Sequence, residues 1–277
     1  MNEQDVKDLQ EQIKFSGFQE DFTKEIKALL KKDRPQSSIK TEKTMENDDH
    51  LAVTLNFGKS EKTNKHYLNN YHVKMTKENG EVMEQTFYRN FGSSISMKEA
   101  YNLMNGRAVY KTNMMGQGEK PYNAWLQMDR TKADKNGNYK YHKFHDNYGF
   151  DVEAKLTERG YTQMNVTGDE NYFVNAIKKG DIVLATRQEN GQEIKEYVEA
   201  NPRFKDLKVY DLNFKRQSLQ KKESENVENG QKVDSKAQGA KQNETASTST
   251  RRSSAKVNKE GAKTQSTPAR RGPRKTA

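Results

Sequence analysis

The stretch Ser96-Met97-Lys98-Glu99-Ala100-Tyr101-Asn102-Leu103-Met104-Asn105-Gly106-Arg107-Ala108-Val109 decides how the rest of the chain is read. Ser96 and Glu99 stand three apart ahead of an apolar run, the spacing of a capping box: a serine oxygen takes one free helix amide while a glutamate reaches back to another. Ala100, Tyr101, Leu103 and Met104 follow at helical spacing. Gly106 supplies the C-terminal turn, where a left-handed residue closes the helix. Strands are expected next over 107–112, 122–128 and 139–144, the last two joined by the turn Asp134-Lys135-Asn136-Gly137.

The same order recurs downstream. Asp169 is placed to cap a helix containing Phe173, Val174 and Ile177 that ends at Gly180. A strand over 181–187, the turn Glu189-Asn190-Gly191 and a strand over 193–199 follow; after Asn201-Pro202 a strand over 207–214 closes the unit. Superposing Gly106 on Gly180 pairs Leu103 with Ile177, Ala100 with Val174 and Val109 with Val183. Helix, glycine, strand, turn, strand, turn, strand thus occurs twice, an internal repeat. It predicts an α+β fold of antiparallel β meanders with covering helices.

Toward the N-terminus, Val6, Leu9 and Ile13 share one helix face, and Phe22, Ile26, Leu29 and Leu30 share another. Ser16-Gly17 breaks the two and Asp33-Arg34-Pro35 ends the second. Leu51, Val53, Leu55 and Phe57 alternate with Ala52, Thr54 and Asn56, the pattern of a half-buried strand. Strands over 67–75 and 82–88 flank Lys77-Glu78-Asn79-Gly80, where Asn-Gly is expected to supply the positive φ angles of a tight hairpin. The expected organisation is a helical segment over 1–36, a first α+β unit over 37–156, a second, repeat-like unit over 157–217 and a disordered basic tail over 218–277.

Charge sets the tail apart. Of 49 Lys+Arg and 39 Asp+Glu, residues 218–277 hold fourteen bases and six acids, leaving 35 and 33 in the body. Residues 218–250 balance, so a charge of +8 belongs to 251–277 and the body is near neutral. With no aromatic after Phe214, the tail cannot bury enough apolar area to offset a backbone ordering cost of about 1–2 kcal/mol per residue. Arg251, Arg252, Lys256, Lys259, Lys263, Arg270, Arg271, Arg274 and Lys275 space positive charge through Ser, Ala, Pro and Gly. Such a chain tracks the phosphates of DNA or RNA and releases their counterions without folding.

Other classes are set aside by composition. There is no cysteine, which excludes a disulfide framework, a thiolate zinc site and a cysteine nucleophile. Met1-Asn2-Glu3-Gln4-Asp5 is polar where a secretory signal would be apolar. The longest aliphatic run, Ile182-Val183-Leu184-Ala185, falls far short of the roughly 20 residues that span a bilayer. A soluble cytoplasmic protein with no membrane partner is expected.

Several phrases carry a family likeness. They are Met1-Asn2-Glu3-Gln4-Asp5-Val6-Lys7, 99–109, Tyr122-Asn123-Ala124-Trp125-Leu126-Gln127-Met128-Asp129, Phe144-His145-Asp146-Asn147-Tyr148-Gly149-Phe150-Asp151 and Glu199-Ala200-Asn201-Pro202-Arg203-Phe204-Lys205. Together they resemble an uncharacterised Bacteroidota protein family, a domain of unknown function associated with conjugative and other mobile elements. Related domains lie alongside topoisomerase-type DNA-handling proteins. The resemblance spans most of 1–217, departs from the family pattern at 157–168, and brings no activity and no catalytic residues. It implies a bacterial cytoplasm, a setting where DNA is moved, and a DNA-processing protein of the same element as a partner.

Catalytic and metal chemistry find little support. His142 and His145 are three apart in a segment that reads as a strand end, where such positions face opposite ways, and no further ligands complete a metal set. The turn at 134–137 fails as a calcium loop because Lys132 and Lys143 stand where carboxylates are needed. Gly116-Gln117-Gly118 reads as a hairpin loop, too short for a phosphate fingerprint. No catalytic residue, metal or cofactor is therefore assigned. Tyr139 and Tyr141 share a strand face beside Lys140 and Lys143, an arrangement that could stack bases. The leading expectation is a non-enzymatic accessory protein of a mobile element that binds a protein partner, nucleic acid or both, with a tail of non-specific nucleic-acid affinity. The alternative is a protein–protein adaptor with an incidental solubilising tail, and a nucleic-acid enzyme comes third.

Overall fold

The computed structural model describes residues 2–45, 47–89, 93–115, 120–162 and 172–217. Of the two compact units into which the chain divides, only Met1–Lys222 contains described residues, and it is an α+β body of antiparallel sheets and helices. The tail 218–277, the cap at Asp169 and the Gly116-Gln117-Gly118 loop lie outside the described residues. The segments expected at 1–36, 37–156 and 157–217 are successive parts of one body.

Helix α1 (Glu3–Phe15) is capped by the Asn2 side chain and buries Val6, Leu9 and Ile13. Gly17 then turns with φ +89; a Cβ there would lie 2.9 Å from the Met97 amide nitrogen, so only glycine lets the two backbones meet. Helix α2 (Thr23–Lys32) buries Ile26 and Leu29 and stops at Asp33, which takes the left-handed conformation. Both helices cover one face of an antiparallel sheet in the order β1 (Gln36–Thr44), β2 (His50–Lys59), β3 (His66–Thr76) and β4 (Val82–Tyr88).

Strand β1 was not expected: it is an edge strand whose one buried residue is Ile39, so it carries no apolar alternation to read. At the 77–80 turn only Gly80 has positive φ. The Lys77 amide donates to the Glu81 carbonyl and the Gly80 amide to that of Lys77, a type I turn followed by a left-handed glycine in place of the expected Asn-Gly turn. The turn at Asn190-Gly191, where both residues have positive φ, is the form that dipeptide usually builds.

The capping box forms as read: Ser96 accepts from the Glu99 amide and the Glu99 carboxylate accepts from the Ser96 amide at 2.7 Å. Helix α3 (Met97–Met104) leads through Gly106, φ +79, into the meander β5 (Ala108–Met115), β6 (Pro121–Ala133) and β7 (Tyr139–His145). After an unanticipated short helix, α4 (Val152–Glu158), the order returns: α5 (Tyr172–Lys178), then β8 (Val183–Glu189), β9 (Gln192–Asn201) and β10 (Asp206–Tyr210) in a second antiparallel meander. Strand β10 ends four residues earlier than expected because Asp211 to Phe214 form a turn, with Phe214 left-handed.

The middle sheet, β5–β7, is buried on both sides. Val109, Ala124, Leu126 and Met128 join the core beneath β1–β4, whereas Ala108 and Trp125 join a second core with Phe150, Leu156, Ile177, Val198 and Val209. The glycine at the repeat junction seals the contact. Gly180, φ +87, would place a Cβ 2.9 Å from Asn102 Cβ and 3.0 Å from the Ala108 carbonyl oxygen. Asn102 in turn donates to the Lys179 carbonyl at 2.6 Å and to Asp181 at 3.0 Å.

Buried acids are consumed by this packing. Glu196 accepts from the Tyr161 hydroxyl at 2.7 Å and from Arg187 Nε at 2.6 Å; Glu199 accepts from Lys208 at 2.6 Å and from the Tyr210 hydroxyl at 2.9 Å. Burial and these carboxylates push the Tyr161 and Tyr210 hydroxyls well up. Burial likewise raises Tyr101, next to Asp49, and Tyr141 to about 12. Tyrosines in the unfolded chain ionise near pH 10, so above that pH the native state holds more protons and stability falls as pH rises. The body is expected to keep its melting temperature up to about pH 10 and lose it progressively toward about pH 12. Tyrosinate absorbance and circular dichroism should change together; an exposed-tyrosine titration complete before unfolding would contradict the buried hydroxyls.

Candidate nucleic-acid interface

The tyrosine pair read from the sequence lies on one face of β7, but that face turns inward. Tyr139 and Tyr141 pack against the first core. The Gln85 side chain accepts from the Tyr139 amide at 2.7 Å, and its Nε2 lies 3.4 Å from the Tyr141 hydroxyl. Together with the Thr86 amide, which donates to Asn138, these bonds clamp the β6–β7 hairpin onto β4. Neither ring stands free to stack a base. Lys140 points to the opposite face and pairs in register with Asp129; Lys143 shares the tyrosine face. His142 faces Asp129 at 3.6 Å, while His145 packs on the Tyr122 ring with centroids 4.8 Å apart, so the two imidazoles do not converge. Among the described residues no group of three His, Asp or Glu side chains is arranged to hold a metal ion.

Farther along the same face the arrangement opens. A groove of about 710 Å³ runs between β4 and the face of β6–β7 that carries Tyr122 and Lys143. Tyr88, 60% exposed, and Met115, 62% exposed, form one rim. Lys143 donates to the Tyr122 hydroxyl at 3.0 Å and stands over its ring at 5.6 Å. Arg89 enters the same groove; its Nη1 donates to Gln12 Oε1 at 2.5 Å, a neutral amide oxygen. Among the described residues no carboxylate lies within ion-pair reach of it, and partial burial lowers its pKa, as expected of a cation left uncompensated. Asp134, the acid at the groove, is occupied by the amides of Asn136 and Asn138 in its own turn.

A second opening, of about 680 Å³, lies at the junction of the two repeats. Its floor is Tyr101, whose hydroxyl donates to the buried Asp49 at 2.8 Å. Arg107 lies over the Tyr101 ring at 5.4 Å and donates to the Asn102 side-chain oxygen. Lys98 is paired with Asp181 at 2.5 Å and Lys43 adds a further cation. Tyr172, 74% exposed, and Phe214, 56% exposed and stacked on Tyr197 at 4.3 Å, form the rim.

No family model, curated protein or solved structure matches this chain. The two openings therefore have to be judged by their chemistry. Both combine an exposed ring with cations, and the cleft also holds the Tyr101 hydroxyl bonded to the Asp49 carboxylate. At Tyr101–Asp49 in the cleft, as at Tyr110–Asp146, Tyr161–Glu196 and Tyr210–Glu199, burial and the carboxylate push the hydroxyl up and away from ionisation, the reverse of an activated nucleophile. No helix among the described residues is long and apolar enough to cross a membrane.

The tail arginines and lysines from Arg251 to Lys275 lie outside the described residues. Arg89, Arg107, Tyr88, Tyr122, Tyr172 and Phe214 were missed in the sequence. The available signal was weak: Arg107 directly follows the helix-closing Gly106, and Phe214 is the last aromatic before the basic tail.

Proposed function

We propose that this protein is a non-enzymatic nucleic-acid-binding accessory protein, with the β4–β6–β7 groove as a stacking site and the tail as a non-specific phosphate tether. The observation that carries it is the groove itself: Tyr88 and Tyr122 beside Lys143 and an Arg89 held by an amide, with no carboxylate partner among the described residues. Aromatic faces take bases of any sequence, and cations along them take the backbone. A bacterial cytoplasm and a DNA-processing partner, which the resemblance to a mobile-element family implies, fit this reading.

Replacing Tyr88 and Tyr122 together by alanine is expected to weaken single-stranded DNA binding by about tenfold or more, since each stacked base contributes about 1–3 kcal/mol. Fluorescence anisotropy measures the loss, and a melting curve confirms the fold; unchanged affinity in a folded double variant would remove the groove from the proposal. The adaptor reading draws support from β1, which stands at a sheet edge with one buried residue and is open to pairing with another chain. Capture of a bacterial partner that survives nuclease treatment and deletion of the tail would favour it.

A further inference from the structure

We infer that the groove and the junction cleft are two stations of one track for single-stranded nucleic acid, with Arg107 as the second phosphate clamp. This rests on the nucleic-acid reading of the groove and extends it to a site on the other side of a ridge. The ridge is the segment entering α3: Ile95 lines the groove and Met97 lines the cleft. It is fixed at both ends. The Tyr71 hydroxyl donates to the Ile95 carbonyl at 2.8 Å inside the core, and the Met97 amide donates to the Ser16 carbonyl at 2.9 Å. The residues that line the two openings are thus separated here by Ser96 alone, on backbone that is held in place.

The chemistry on the two sides matches. Each opening holds one arginine positioned by a side-chain amide oxygen, Arg89 by Gln12 and Arg107 by Asn102. Neither guanidinium has a carboxylate within ion-pair reach among the described residues, although the other partly buried arginines with ion pairs, Arg130, Arg159 and Arg187, meet Glu81, Asp206 and Glu196. Nε of the Arg107 guanidinium is buried, but stacked on Tyr101 and oriented by Asn102 the group keeps Nη N–H groups for an anion, and phosphate is the anion its planar fork fits. Each opening also has two rings: exposed Tyr88 and half-buried Tyr122 at the groove, exposed Tyr172 and Phe214 at the cleft. Lys98 cancels Asp181, leaving Arg107 and Lys43 to set the sign of the cleft. Double-stranded DNA cannot offer unstacked bases to such rings, so the ligand is a single strand.

The test compares oligothymidylates of about 4 and about 16 nucleotides, the range that single-strand sites span, on the full-length chain at moderate salt where tail binding is suppressed. Wild-type affinity should step up between the two lengths. Arg107→Gln, and separately Tyr172→Ala at an exposed ring whose loss leaves the fold intact, should each weaken the long oligomer by about tenfold and flatten that step. If Tyr88→Ala with Tyr122→Ala weakens binding while both cleft variants bind the long oligomer as the wild type does, the track is wrong and the groove stands alone. If neither set changes affinity, the nucleic-acid reading of the body falls with it.

Discussion

The chain ending at residue 250 is expected to lose most of its low-salt affinity for nucleic acid. The tail from Arg251 to Lys275 carries nine bases and one acid, so up to nine phosphates are neutralised by a segment with little else to offer. Counterion release makes the logarithm of affinity fall with that of salt at a slope of about −0.7 per phosphate contacted on a single strand. Full-length protein should therefore lose about 300-fold to about 6,000-fold in affinity between about 50 and about 200 mM salt if six to nine contacts form. The truncated chain should bind far more weakly at low salt, with a slope shallower by about four to six, and converge on the full-length value at high salt. Equal affinity and equal slope for the two chains would show that the tail is incidental.

Trp125→Ala is expected to have the largest effect on stability of any single substitution in the body. Trp125 is 4% exposed and sits on the side of β6 that faces the second core, with Tyr110 and Phe150 each 5.3 Å away between ring centroids. Its removal leaves a cavity at the place where the middle sheet meets the second repeat, and large aromatic-to-alanine changes cost about 3–5 kcal/mol. Against a total of about 5–15 kcal/mol for a domain this is a third or more. Urea unfolding followed by far-ultraviolet circular dichroism measures it. Because both cores share the sheet, one transition with a lowered midpoint is expected; two separate transitions would show that the repeats fold independently.

How much could be read from the residues depended on how local the signal was. The capping box at Ser96 and Glu99, the alternation of β2 and the positive-φ glycines that close α3 and α5 are decided within a few residues, and they stand in the structure where the pattern put them. Strand β1 and helix α4 escaped because each buries too little to leave a period: Ile39 in the first, Val152 and Leu156 in the second. Sheet faces were harder. Tyr139 and Tyr141 share a side of β7, as alternation requires, but alternation cannot say which side meets the core; Gln85, 54 residues earlier than Tyr139, does. The arginines were least legible of all, since what marks Arg89 and Arg107 is that no carboxylate among the described residues lies within ion-pair reach, which local sequence does not reveal.

The two-sided middle sheet has a consequence for synthesis. Trp125 meets Phe150 within 25 residues, but the second core is completed late, because Val198, Leu207 and Val209 come roughly eighty residues after Trp125. At about 5–20 residues per second the nascent chain carries that core incomplete for about 4–16 seconds. A pulse-chase experiment should find early chains, those stopped before β9, held by chaperones and sensitive to protease, and chains extended past β10 released. The order of genetic information along this molecule thus imposes a waiting time that the finished fold does not reveal.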